Sequence, residues 1–412
     1  MSSYAPGVSA TKDAVHAATK NDDPGLYRHS FVKIFPVKRK FKNPVQTLHM
    51  DGAGTVTAWA YMWYRLTGDI SLIHNIMINS IVMNLDDVIS SGFVNGEMIL
   101  AGVIDQNIFA YWDPNRFREE NEAEADMILA EMIKGQNNYV SWLRDEIGID
   151  IKIVGGETSD QPDTIRGPAI INHGLHAVTA QRDIIDNGRI KPGDYIVGLA
   201  SNGRAIWEPS DNGGMRSNGW SLTRNVLCSD YRTLFPNTYY VGPGKPIEEA
   251  YYGTKRMKDF VTTESGTQLC LGEYAGQATR TYAPIFKKLY DEKRIWKNIS
   301  GVVHNSGGAN FKCVKYLSKP MAIVKDNMFS TPPLFRLIQK DLKLSDEKIL
   351  NAFNLGNGMD VYLRDIESAE AVMEAAESYG IKSQLIGRVE KAKDDMRRVI
   401  IDYNGKSYAR TA

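Results

Sequence analysis

The residues from Ile70 to Phe93 form the most strongly patterned segment of the chain. Apolar side chains recur there at intervals of one, three or four residues, at Ile73, Ile76, Met77, Ile81, Leu85, Val88 and Ile89. This spacing predicts a helix whose wide apolar face is buried. Two adjacent carboxylates, Asp86 and Asp87, lie in the same segment. Burial of an unpaired carboxylate costs on the order of several kcal/mol. We therefore expect an arginine, backbone N–H groups or a bound cation beside them, unless both acids cap a polar helix end.

The rest of the first half alternates predicted strands and helices. The predicted strands are 29–37, a segment that ends at 49–50, runs within 93–104, 149–154 and 169–179. The further predicted helices are 56–67 and 114–147. Glycine-containing turns follow two of the strands, as DGAGTV at 51–56 and GGETSDQPD at 155–163. Such turns can hold a polyphosphate or a metal ion, although each one alone is also typical of an ordinary turn.

The second half begins near residue 184 and again mixes strands with helices. A strand at 195–200 leads into a long glycine-rich loop, in which Ser217 or Asn218 is expected to cap a helix at 220–227. That helix start is either an anion site or an ordinary capped end. A strand at 301–304 ends in a second glycine pair, and its last residue, His304, is either a core histidine or part of a site. The pattern further predicts helices at 332–341, 346–353 and 366–380, strands at 353–363 and 383–389, and a hairpin at 397–409.

Composition narrows the class of protein. The 412 residues are enough for two or three domains, and 43% hydrophobic with 24% charged residues is typical of a soluble globular enzyme. Lys+Arg and Asp+Glu both number 49, so no general positive field attracts nucleic acid or an anionic membrane. The three cysteines are far apart, which favours free thiols over a disulfide framework or a zinc site. Without a signal-peptide pattern or a long apolar run, we expect a cytoplasmic protein.

Several motifs in order carry a family resemblance along nearly the whole chain. They are SYAPGV, DGAGT, NLDDVISSG, GGET, GDYIVGLASNG, RSNGWSL, HNSGGA, FNLGNGM and IGRVEK. In these motifs and their order, the chain resembles the aminoimidazole ribonucleotide synthetase family, as a longer variant or a paralogue. The resemblance implies an α/β (α+β) protein with an N-terminal ATP- and magnesium-binding domain at 1–183, which pairs in a homodimer through a barrel of strands. It implies a C-terminal α/β substrate domain at 184–412.

The resemblance also implies a set of functions for individual residues. The reaction would be ATP-dependent closure of the imidazole ring of formylglycinamidine ribonucleotide, with ATP and Mg²⁺ required. Catalytic roles fall on Lys20, Asp51, Asp87 and His304, and magnesium binding falls on Asp51, Asp86 and Asp87. Nucleotide binding falls on Gly7, Lys12, Gly52, Gly54, Thr55, Gly155, Gly156, Glu157 and Thr158. We expect the substrate and its phosphate at Arg216, Ser217, Asn218, Gly219, Asn305, Ser306, Gly307 and Gly308.

Two positions depart from the family pattern. Val56 stands where the DGxGT motif is normally followed by lysine, and Arg216 stands where the family often has histidine. A lysine beside a triphosphate supplies local positive charge, so its loss changes the site. One hypothesis is a working cyclo-ligase in which Lys12, Lys20 or Arg216 compensates. The alternatives are a paralogue that uses ATP on another small molecule and a nucleotide-binding protein without turnover.

Overall fold

The computed structural model describes residues 26–31, 34–36, 43–110, 113 and 115–412. Three of the predicted site residues, Gly7, Lys12 and Lys20, lie outside the described residues. The described secondary structure is a mixture of helices and strands, as the sequence predicts. No helix within the described ranges is long and apolar enough to cross a membrane.

The first sheet has five strands in the order β1-β2-β5-β3-β4. The strands are β1 Phe35–Pro36, β2 Pro44–Ala53, β3 Glu97–Gln106, β4 Ile151–Asp160 and β5 Ala169–Ala180. The helices of this half are α1 Thr55–Thr67, α2 Ser71–Ile89 and α3 Arg118–Asp145. Strand β5 pairs antiparallel with both β2 and β3, and β4 runs parallel to β3 at the edge. Helix α2 contacts β2 and β5, and α3 contacts α2 and β4, so both helices cover one face.

The opposite face of this sheet is open and partly apolar. Because side chains alternate along a strand, the residues of β2 next to those that face α2 point to the other side. Two of them, Leu48 and Met50, are 66% and 68% exposed. Val103 on β3 and Ile170 on β5 add further exposed apolar surface. This open face belongs to the half of the chain that was expected to form a barrel with a second copy.

The second sheet has seven strands in the order β14-β13-β10-β12-β6-β11-β9. These strands are β6 Tyr195–Ala200, β9 Ile299–His304, β10 Met321–Lys325, β11 Asn357–Leu363, β12 Ser383–Lys391, β13 Arg397–Tyr403 and β14 Lys406–Thr411. A separate hairpin joins β7 Phe260–Thr262 to β8 Gln268–Cys270. The helices are α4 Trp220–Thr223, α5 Asp230–Leu234, α6 Leu271–Gly276, α7 Ala283–Asp291, α8 Lys293–Asn298, α9 Pro333–Asp341, α10 Asp346–Ala352 and α11 Ile366–Glu377.

Hydrogen bonding and apolar packing both join the two halves. The indole of Trp59 on α1 donates a hydrogen bond of 2.9 Å to the carbonyl of Gly272 on α6. A Cβ at Gly276 would lie against Leu72 of α2, which shows how closely α6 approaches that helix. The described strands of the first sheet end at Ala180 and those of the second begin at Tyr195. The domain boundary at 183/184 stays a prediction, and the core continues across it.

Most of the predicted elements are confirmed, and two local predictions are wrong. The first six residues of the expected turn at 155–163 instead belong to strand β4, which continues to Asp160 because Gly155 and Gly156 pair with β3. The helix expected at 220–227 ends at Thr223 and gives way to a turn of 3-10 helix over Arg224–Val226. Both errors arise because glycines and short polar runs fit several backbone conformations equally well.

Candidate active site

Three potential ligand side chains meet between β2 and α2. His49 and Asp51 are two residues apart on β2, so both point to the face that α2 covers. Asp87, near the end of α2, completes the group, and one ligand atom from each residue lies within 4.8 Å of the others. Burial raises the pKa of Asp51, opposed by the Gly52 N–H, which donates 2.7 Å to its Oδ1. The structure thus brings together two of the predicted ligands and adds His49.

His304 holds the carboxylate of Asp87 from the second half of the chain. Its Nε2 contacts the guanidinium of Arg216, which can only donate, so Nε2 accepts and the proton lies on Nδ1. The Nδ1–H then donates to Oδ1 of Asp87. Burial and Arg216 lower the pKa of His304 to about 4, so the ring is neutral. Burial alone would raise the pKa of Asp87, but the interactions with His304 hold it below its ordinary range.

Asp86 has a different environment from its neighbour and does not belong to the group of His49, Asp51 and Asp87, so its metal binding stays a prediction. Its Oδ1 accepts hydrogen bonds from the Thr281 hydroxyl at 2.6 Å and from the Tyr282 N–H at 3.3 Å. Its Oδ2 lies 3.4 Å from Nη2 of Arg216. Burial raises the pKa of Asp86 to about 7, although Arg216 opposes the shift. Adjacent residues on a helix point about 100° apart, so Asp86 pairs with an arginine while Asp87 faces the ligand group.

Arg216 is buried and pairs with protein groups, and its role in substrate binding stays a prediction. Its side chain is 2% exposed. Besides Asp86 and His304, its Nη1 donates 2.8 Å to the carbonyl of Gly358. The guanidinium also lies 5.3 Å from the ring centre of Tyr282. Arg216 therefore neutralises a buried carboxylate and orients His304.

The two predicted substrate turns lie side by side. A Cβ at Gly307 would lie 3.5 Å from the side-chain oxygen of Asn218. The Thr55 hydroxyl is 3.3 Å from the Ser221 hydroxyl, so the DGAGT turn approaches the same corner. The predicted helix cap is wrong, because the residue before α4 is Gly219, whose φ is 82° and which makes no side-chain cap. With only four residues, α4 offers no helix-terminal anion site.

The turn at 305–308 connects this corner to a buried polar network. Asn305 donates 2.9 Å to Oδ1 of Asp360, which also forms an ion pair of 2.6 Å with Lys325 through Oδ2. Ser306 accepts a hydrogen bond from Lys312, while Gly307 and Gly308 are exposed. The exposed glycines leave the backbone of this turn accessible to a bound group.

Lys312 is a cation that the sequence reasoning missed. It lies in a 3-10 segment, Ala309–Tyr316, and its Nζ donates 2.8 Å to Ser306 Oγ and lies 4.1 Å from the ring centre of Phe31. No carboxylate of the described chain lies within 4.0 Å of it, yet both Asp87 and Asp51 act on its charge. Burial lowers its pKa to about 8, and these two acids oppose the shift. Lys312 thus lies near the acidic group without a close ion pair to any described carboxylate.

Within one chain, the GGET residues lie away from the group formed by His49, Asp51 and Asp87. Gly155, Gly156, Glu157 and Thr158 lie on the edge strand β4 and are exposed. Three strand spacings separate β4 from β2 in the sheet order, which is roughly 14 Å. The carboxylate of Glu157 accepts a hydrogen bond of 2.9 Å from the N–H of Thr158. Their predicted nucleotide contacts remain predictions.

Val56 is buried in the first turn of α1, with 3% of its surface exposed. It belongs to the apolar core together with Trp59 and Ala60. Gly52 supports the same turn, because a Cβ there would collide with the backbone of Ile171. A Cβ at Gly54 would meet open space. The position that carries a lysine in the family is therefore part of the core here.

Of the two residues that the sequence analysis did not single out, His49 is marked by a pattern in the sequence and Lys312 is not. His49 could have been found from strand alternation, since it precedes Asp51 by two residues in a predicted strand. Lys312 lies eight residues after His304 in an irregular segment, and no periodicity marks it. Its position depends on how the second sheet packs against α2.

Comparisons with known proteins found similar sequences among curated proteins, although none among the models of protein families. No model of a known protein family matches it. A phosphoribosylformylglycinamidine cyclo-ligase from Caldicellulosiruptor saccharolyticus is 30% identical over 245 residues, which cover 58% of this chain and 60% of the relative. The cyclo-ligase of Methanocaldococcus jannaschii is 29% identical over 262 residues, covering 62% and 63%. The match with curated relatives thus spans about three fifths of their length.

A solved structure extends the likeness to the whole fold. A chain in the crystal structure of a HypE–HypF complex superposes with a TM-score of 0.50 at 14% identity. The superposition covers 97% of this chain and 98% of that one, so the likeness includes both sheets. The chain is therefore similar to phosphoribosylformylglycinamidine cyclo-ligases over about three fifths of its length, and it shares the α/β fold of the chain in the HypE–HypF complex over nearly its whole length.

Proposed function

We propose that this protein is an ATP-dependent cyclo-ligase that closes the imidazole ring of formylglycinamidine ribonucleotide. In the reaction, the amide oxygen of the substrate attacks the γ-phosphorus of ATP and ADP leaves. An amidine nitrogen then attacks the activated carbon, a proton is lost, and the C–O bond breaks to release phosphate. The phosphoryl transfer is needed because an amide oxygen is a poor leaving group. The protein contributes mainly positioning and charge stabilisation.

One observation carries this proposal. The acids of the DGAGT and NLDD motifs, Asp51 and Asp87, converge beside the HNSGGA motif, although these motifs are far apart in the sequence. The RSNGWSL turn adjoins the same corner through Asn218. Four of the motifs that carry the resemblance therefore meet at one candidate site between the two halves.

The donor set fits a divalent cation. Nε2 of His49 is buried and has no hydrogen-bond partner in the part of the chain that the structure describes. It lies 3.2 Å from Oδ2 of Asp87, and the Oδ1 of that carboxylate is held by His304. A cation bound by His49, Asp51 and Asp87 would supply charge neutralisation for the phosphates of ATP.

His304 and Lys312 have separate roles in this proposal. His304 is buried with both ring nitrogens engaged, so it positions Asp87 rather than contacting substrate. Lys312 supplies the positive charge that Val56 lacks, because its amine lies beside the acids and beside the turn at 305–308. A charge from the second half thus replaces one from the start of α1.

The decisive experiment measures ADP release by the full chain with Mg·ATP, with and without formylglycinamidine ribonucleotide. We expect release that depends on the substrate, with aminoimidazole ribonucleotide as the second product. Asp87→Asn should reduce turnover at least 100-fold while circular dichroism shows an intact fold, because the amide carries no charge for the cation. ADP release that is the same with and without the substrate, or full activity of the Asp87→Asn variant, would contradict the proposal.

A second candidate is an enzyme that activates another small molecule with ATP. The observation that favours it is the engagement of Arg216 with Asp86 and His304, which removes one expected contact to a substrate phosphate. A screen of other amides and carboxylic acids in the same ADP assay separates the two candidates. A nucleotide-binding protein without turnover would show thermal stabilisation by ATP and no ADP.

A further inference from the structure

The side chain of His49 is aimed at the predicted cation site. It follows Thr47 and precedes Asp51 on the buried face of β2, while its sequence neighbours Leu48 and Met50 point to the open face. Strand alternation therefore fixes its direction, because a shift of one residue would place it on the other side of the sheet. His49 thus enters the space beside Asp87 through the geometry of the strand.

A simple ion pair with Asp87 does not account for this imidazole. Nε2 is 3.2 Å from Oδ2 of Asp87, but the two atoms are not aligned as a hydrogen bond. Asp87 already receives the Nδ1–H of His304 on its other oxygen. A buried ring nitrogen without a hydrogen-bond partner among the described residues is costly unless another group binds it. Nε2 and the nearby carboxylate oxygens together form a mixed nitrogen and oxygen donor set.

The chemistry of such a set differs from that of a magnesium site. Mg²⁺ prefers hard oxygen ligands and retains several waters, whereas imidazole is a common ligand of Zn²⁺, Co²⁺ and other first-row transition ions. We propose that His49, Asp51 and Asp87 form a site selective for a divalent first-row transition ion over Mg²⁺. This inference refines the proposed function by naming the class of cation at the same site.

The test titrates metal-free full-length protein with Co²⁺ or Mg²⁺ in the absence of nucleotide and substrate, by calorimetry and by the visible absorption of Co²⁺. We expect wild-type protein to bind Co²⁺ at least 10-fold more tightly than Mg²⁺. His49→Gln should weaken Co²⁺ binding at least 10-fold and change Mg²⁺ binding less than threefold, because it removes the only nitrogen of this donor set.

The matched control is His176→Gln, which makes the same substitution on the same sheet. His176 contacts Gln46 at 3.1 Å and belongs to the open face, so its loss should leave Co²⁺ binding unchanged. Asp51→Asn, which keeps the imidazole, should also weaken Co²⁺ binding. If His49→Gln disturbs the fold, pulsed electron paramagnetic resonance of Mn²⁺-loaded wild-type protein should still detect a directly coordinated nitrogen.

Equal affinity of wild-type protein for Co²⁺ and Mg²⁺ would overturn the proposal. Co²⁺ binding that survives both His49→Gln and Asp51→Asn would also overturn it, as would a Mn²⁺ spectrum without nitrogen coupling. Because these measurements use metal alone, they can fail while substrate-dependent ADP release succeeds with Mg²⁺. Conversely, selective Co²⁺ binding without any ADP release would refute the cyclo-ligase and leave the metal site standing.

Discussion

Lys312 is the cation nearest in character to the family lysine that this chain lacks. Its amine donates a hydrogen bond to Ser306 and interacts electrostatically with Asp51 and Asp87. A positive charge in a partly buried site stabilises phosphate far more than one in open water. At the level of single residues, we therefore propose that the chain keeps the charge while it changes the element that carries it.

Removal of this charge should weaken catalysis. We expect Lys312→Met to lower kcat/KM for ATP about 100-fold, because methionine keeps an unbranched apolar stem and loses the ammonium group. The exposed Lys315, three residues later in the same segment, provides the matched control as Lys315→Met. Steady-state ADP assays on both variants check the prediction, and equal activities would remove Lys312 from the site.

The same lysine should set an alkaline limit on activity. Its pKa is lowered to about 8 by burial, so the amine is charged below that pH and loses its charge as the pH rises through it. We therefore expect kcat/KM to fall above about pH 8. Lys312→Arg, which stays charged, should move this limb to higher pH. An unchanged alkaline limb in that variant would assign the titration to another group.

Val56→Lys should not restore a family-like site. The residue is buried in the first turn of α1 among apolar neighbours. An ammonium there loses its hydration, so we expect the free energy of unfolding to fall by about 2–4 kcal/mol with no gain in activity. Val56→Met is the uncharged control of similar length. Urea denaturation of both variants checks the difference, and a stable, more active lysine variant would show that the site is damaged rather than rebuilt.

At the scale of elements, helix α2 separates two adjacent acids by direction. Asp86 turns towards Arg216 and Thr281, and Asp87 turns towards His304 and His49. The helix can bury both because each carboxylate finds donors on a different neighbouring element. Loss of one partner of such a buried pair is costly because it leaves the other charge uncompensated.

Two glycines of the first sheet should respond differently to the same change. A Cβ at Gly102 on β3 would lie 2.6 Å from the ring of His173, whereas one at Gly155 on β4 would have no atom within 4 Å. We expect Gly102→Ala to lower the free energy of unfolding by about 1–3 kcal/mol through overpacking. Gly155→Ala should be nearly neutral for stability. Thermal denaturation of both variants provides the comparison, and similar losses would contradict the packing argument.

The sequence predicts the elements of this fold better than their long-range contacts. Helix α2 and the closing hairpin β13–β14 follow from periodicity and an Asn-Gly turn, because both depend on residues close in the chain. The partners of Asp86 could not be assigned, since Arg216 lies 130 residues away. Resemblance to a family identified Asp51 and Asp87 but not Lys312, because that position depends on packing between the two halves.

At the scale of the whole molecule, the open apolar face of the first sheet supports a homodimer as a proposal. Leu48 and Met50 are large apolar side chains that lie exposed on this face. Contiguous exposed apolar surface of this kind marks sites of protein association. We expect sedimentation equilibrium to give twice the chain mass, and Met50→Lys to shift the protein towards monomer. Phe260→Lys, at a 71% exposed position on the β7–β8 hairpin, is the control that should stay dimeric. A monomeric wild-type protein would refute the proposal.

The pairing of Asp86 with Arg216 has a consequence for recombination between relatives. A chimaera that joins the first half of this chain to the second half of a cyclo-ligase with histidine at the Arg216 position would enclose Asp86 without its guanidinium partner. The two halves therefore cannot be exchanged as independent modules, and a functional hybrid must inherit both ends of this pair together.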